Sequence, residues 1–89
     1  MPRLLVTVVE TFLITGRGLI VAPFLPESEA RSRPFEVELR RPDGSRRVAQ
    51  AFAQVPFITP PSKVREAHLA LLEVTNEDVP IGTEVWTTS

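Results

Sequence analysis

The chain contains no cysteine and no tyrosine, and only one His, one Trp and one Met among its 89 residues. Without cysteine, neither a disulfide nor a thiolate metal site can staple the fold, so the packing of a core has to stabilise it. The lone histidine, His68, has no Cys or carboxylate at ligand spacing, which points to a structural or surface role rather than a metal centre or a catalytic base. Ser45, Thr59 and Ser62 read as turn or cap residues, because no His-Asp relay accompanies them. A dominant sign of charge is missing as well. Ten Lys+Arg stand against eleven Asp+Glu, a net −1 that argues against nucleic-acid binding through bulk charge. No apolar run approaches the roughly 18 residues that a membrane span requires. The opening MPRLLVTVVETFLITG pairs Arg3 with an apolar stretch, but Glu10 interrupts it and no small-residue cleavage site follows. A strand is therefore expected there instead of a signal peptide, and a soluble, cytoplasmic protein is the expectation.

What is present is ordinary globular material, 43% hydrophobic and 24% charged, enough for one small domain over residues 1–89. A domain of this size removes roughly 60% of its unfolded surface from water and is stable by on the order of 5 to 10 kcal/mol. The most distinctive stretch is Phe12 to Val21, FLITGRGLIV, two apolar runs meeting at Gly16-Arg17-Gly18. Glycines on either side of one charged residue allow a tight turn, so a hairpin with Arg17 at its tip is expected. The first strand runs from about Arg3 to Ile14, bent or broken near Glu10. The second, Leu19 to Ala22, ends at Pro23 and Pro26, neither of which can donate to a ladder.

PESEARSRP, residues 26–34, is polar and proline-bounded and reads as a surface loop. Phe35 to Arg40 alternates apolar and charged residues, placing Phe35, Val37 and Leu39 on one face of a strand. Pro42-Asp43-Gly44 supplies a turn after it. Ser45 to Val55 is ambiguous: its Ala and Gln content suits a helix, but Val48, Gln50, Phe52 and Gln54 fall at strand spacing and hairpin context favours the strand. Residues 62–74 carry two readings, a helix capped by Ser62 or a buried strand HLALLEV from His68 to Val74. Thr83 to Thr87 has the composition of a closing strand.

Charge is unevenly spread. Six arginines between Arg31 and Arg47 face Glu36, Glu38 and Asp43, whereas Lys63 and Arg65 face five acids between Glu66 and Glu84. Arg40, Arg41, Arg46 and Arg47 flank one turn and, if clustered, make a basic spot suited to phosphates; Arg17 is a further candidate contact. Three or four such contacts would give binding a log-salt slope of roughly −2 to −4. Five Phe, one Trp and no Tyr leave few stacking platforms for single-stranded RNA.

The blocks FLITGRGLIV, FEVELRRPDG (Phe35 to Gly44) and LALLEVTNEDVPIGTEVW (Leu69 to Trp86) together resemble the second domain of elongation factor Tu and related translational GTPases. The chain departs from that pattern at Ala22-Pro23 and in its longer 26–34 loop. The resemblance implies a small closed antiparallel β-barrel with no long helix, hence strands over Val48 to Val55 and His68 to Val74. It implies a binding surface and no chemistry. GTP hydrolysis belongs to a separate domain, and no G-x-x-x-x-G-K-[ST] loop occurs here. The expectation is a non-catalytic module without cofactor or metal. It would contact RNA or a translation-related partner through Arg17, Arg40, Arg41, Arg46 and Arg47. The alternative is a protein-only adaptor or inhibitor whose acidic C-terminal half meets a basic partner.

Overall fold

The computed structural model describes residues 2–16, 18–55 and 66–88. Seven strands account for the regular structure: β1 (Leu4–Thr7), β2 (Glu10–Ile14), β3 (Gly18–Pro26), β4 (Phe35–Arg40), β5 (Arg46–Gln54), β6 (Glu66–Leu72) and β7 (Glu84–Thr87). One 3-10 turn, Glu27–Glu29, lies in the polar loop. All strands join one antiparallel sheet in the order β1-β7-β4-β5-β6-β3-β2. Among the described residues no helix is long and apolar enough to cross a membrane.

The sheet curls into a half-barrel and is not the closed barrel that the sequence leads one to expect. The reason lies in the N-terminal segment. β1 and β2 are the two edge strands, yet they are successive pieces of one backbone that bends at Val8–Val9. Val8 N–H donates to Thr83 O at 2.8 Å and Val9 N–H to Ala22 O at 2.8 Å, while Gly82 N–H donates back to Val8 O at 2.8 Å. The two sheet edges thus meet at this corner, and among the described residues no ladder joins β1 to β2 beyond it. The break falls just before Glu10, close to its expected place.

The second strand corrects a further expectation. β3 does not end at Ala22 but continues through Pro23 to Pro26. Its pairing with β6 skips between Val21 and Leu25, so Pro23 sits where no ladder donor is needed. The Ala22–Pro23 peptide is cis.

The core lies on the concave face. Leu19, Val21, Val37, Leu39, Leu69, Leu71 and Val85 are all fully buried there. β5 contributes Ala49, Ala51 and Ala53 to the same cluster. The register explains the alanines: Ala51 lies opposite Leu71, Ala53 opposite Leu69 and Ala49 opposite Val37, and on the neighbouring ladder Ala67 lies opposite Leu25. A large side chain on one strand meets a small one on the next, which fills the concave side of a tightly curled sheet without overpacking. This ladder also decides the two ambiguous segments. Residues 46–54 and 66–72 are strands, and the start of the alternative helix, 62–65, lies outside the described residues. Val48, Gln50, Phe52 and Gln54 do share a face, and it is the outer one.

Candidate interaction surface

The hairpin β4–β5 brings Arg40, Arg41, Arg46 and Arg47 to one end of the sheet, as their sequence positions require, but splits them between two sides. Arg40 and Arg46 are cross-strand partners on the outer face. Both reach Glu38 Oε1, from Arg40 Nε at 2.5 Å and Arg46 NH1 at 3.8 Å. The Arg40 guanidinium also lies 4.3 Å above the ring centroid of Trp86, whose Nε1–H donates to Glu84 Oε1 at 3.0 Å. Arg40 therefore covers one face of the only tryptophan.

Arg47 pairs across the ladder with Leu39 and so points to the opposite side. There its NH1 lies 3.2 Å from Asp78 Oδ1, and Arg41 Nε–H donates to the Asp78 carbonyl at 2.8 Å. The acidic turn that seemed to polarise the C-terminal half is docked on the basic hairpin. Asp78 Oδ2 accepts from the Thr75 N–H at 2.9 Å, and this bond, helped by the nearby Arg47 charge, holds the carboxyl below the ordinary aspartate range. Asp43 is lowered in the same direction, first by the Ser45 hydroxyl at 2.6 Å and then by the Ser45 N–H at 2.9 Å. Each of the four arginines thus has a local acceptor. Such exposed pairs add only about 0 to 1 kcal/mol each. Their larger effect is to reduce the field of the four arginines, with Glu38 shared by Arg40 and Arg46 and the Asp78 carboxylate beside Arg47. Arg17 lies outside the described residues.

The outer face holds a second feature. Strand register places Phe12, Ile20, Ala70 and Phe52 side by side across β2, β3, β6 and β5, an apolar row on the side of the sheet away from the core. Where that row crosses β3, β6 and β5 it floors an open groove of about 800 Å³, with Leu72, Gln54, His68 and Arg31 around it. The His68 ring stacks on Phe24, centroids 4.2 Å apart. Comparison with protein-family models, curated proteins and solved structures finds no match. The groove therefore has to be read from its own chemistry.

That chemistry is asymmetric. No Asp or Glu is among the groove's described lining residues, whereas Arg31 is one of them. Arg31 is held twice: its N–H donates to Ala53 O at 2.8 Å, and its guanidinium lies 4.2 Å above the Phe35 ring. Unlike Arg40, Arg46 and Arg47, it makes no ion pair with a carboxylate among the described residues. Sequence reasoning placed Arg31 in the basic segment but did not single it out, since only the fold brings the 26–34 loop against β5. Among the described residues no group of three or more His, Cys, Asp or Glu is arranged to hold a metal ion.

Proposed function

We propose that this chain is a non-catalytic binding module whose partner is a protein rather than RNA. The observation that carries this reading is the outer groove: an apolar floor, no acidic residue among its described lining, and Arg31 among the residues that line it. Such a site fits an extended peptide segment with an apolar side chain next to a carboxylate. The RNA reading loses support because Arg40, Arg41 and Arg47 already hold close local acceptors at the β4–β5 hairpin, while Arg46 has only a 3.8 Å pairing with Glu38. A likeness to the second domain of elongation factor Tu belongs to the same proposal, supported by the three sequence blocks and by their falling on β2–β3, β4 and β6–β7. So does a cytoplasmic setting.

The test pairs two measurements on the intact protein. Selection from a displayed random-peptide library is expected to enrich sequences that join an apolar residue to Asp or Glu. Affinity for an enriched peptide should fall about tenfold or more in Arg31→Ala and in Phe52→Ser, the loss of one charged contact or one apolar anchor. Binding to tRNA or short RNA at low and moderate salt should be absent, and unaltered when the four hairpin arginines become alanine. Salt-sensitive RNA binding that disappears in those variants would replace this reading with the RNA one. Enriched peptides indifferent to Arg31 and Phe52 would also overturn it.

A further inference from the structure

Strand β2 has a ladder on one side only among the described residues, to β3. An edge strand presents a row of unpaired N–H and C=O groups, and chains that remain single blunt it with Lys, Pro, a bulge or brevity. The opposite edge has such devices. β1 is four residues long, has a register shift between Leu4 and Val6, and follows Pro2 and Arg3, the latter paired with Glu29 at 2.7 Å. β2, ETFLI, has no Lys, Arg or Pro and no register shift against β3. Its three apolar residues are exposed on both faces of the sheet, Phe12 at 43%, Leu13 at 71% and Ile14 at 41%. This is costly apolar exposure for so small a domain, and it runs along an edge strand without Lys, Pro or a bulge.

We propose that β2 pairs with β2 of a second copy of this chain, antiparallel about Phe12, joining two half-barrel sheets into one continuous sheet. The sequence of β2 is self-complementary in that register. Phe12 meets Phe12 of the other copy on the outer face, Glu10 meets Ile14, and Thr11 meets Leu13 on the other side. The two Glu10 carboxylates are offset by four residues, about 14 Å along the strands and beyond a Debye length of about 8 Å at physiological salt. No like charges are therefore apposed, and the apolar row Phe52, Ala70, Ile20, Phe12 extends across the twofold axis into its mate. A two-fold interface uses the same patch from both copies, which is what this strand offers. The groove beside Arg31 lies on the other side of β3 from this edge, so the pairing does not depend on the peptide reading.

Sedimentation velocity of the intact protein from micromolar to hundreds of micromolar should show a reversible monomer–dimer equilibrium. Phe12→Glu and Phe12→Lys each place like charges directly opposite at the axis and should each weaken the dimer by about tenfold or more. Mixed together they should restore it as a heterodimer. Recovery in the mixture also shows that both variants are folded, and Leu13→Lys, altering a largely exposed side chain, gives an independent disruption. A wild-type protein that stays monomeric throughout overturns the proposal. So does a dimer indifferent to Phe12→Glu, or a mixture that fails to reassociate while both variants keep wild-type circular dichroism. Phe52→Ser should leave the dimer intact, which separates failure of this interface from failure of the groove.

Discussion

Single residues fix the geometry at the tightest point of the sheet. Gly18 has φ +91°, and a Cβ there would stand 2.6 Å from the Leu71 carbonyl oxygen, part of the β6 backbone that cannot give way as a side-chain tip can. Gly16, two positions earlier, has φ +82° but nothing within 4 Å of its would-be Cβ. Both glycines serve a turn, yet only one also serves close packing. Gly18→Ala should therefore destabilise by about 2 to 4 kcal/mol, combining left-handed strain with a backbone clash. Gly16→Ala should lose only the strain, about 1 to 2 kcal/mol. Urea denaturation of the two variants checks the difference; equal losses would mean that the contact with Leu71 contributes nothing.

At the scale of elements, β5 shows how far the sequence can be read. The alternation in Phe35 to Arg40 is plain because charged and apolar residues take opposite faces, and the structure buries Val37 and Leu39 as that pattern requires. In β5 the core face is alanine, whose weak strand preference masks the period, and the more apolar-looking Phe52 lies outside. Only the cross-strand pairing with Leu69 and Leu71 shows why small residues belong there. The same limit applies to the candidate site. The positions of the four hairpin arginines were legible, but their local partners at Glu38 and Asp78 depend on contacts up to 37 residues apart in sequence. The groove was not legible, since it needs three strands and a distant loop at once. If large and small residues are matched across ladders, Ala51→Leu alone should cost about 1 to 3 kcal/mol through overpacking. Combining it with Leu71→Ala should recover part of that loss, as total volume at the pair is restored. Strictly additive losses in thermal denaturation would contradict the matched packing.

At the scale of the whole molecule, one concave core draws on every strand but β2, and the Val8–Val9 corner ties both ends of the sheet. Trp86 on β7 and His68 on β6 lie in different halves of the strand order and report on them separately. Their unfolding curves, followed by tryptophan fluorescence and by the imidazole NMR signals, should coincide in urea, the signature of a single cooperative unit. Separate midpoints would show that the corner does not couple the halves. The same corner has a mechanical consequence. A ladder-closed barrel resists opening equally along its seam, whereas here the seam is clasped at one point by covalent backbone and has no ladder beyond it. Stiffness should fall with distance from Val8–Val9, so that β1 and β2 can spread like the arms of a clip while every ladder bond within the sheet stays formed.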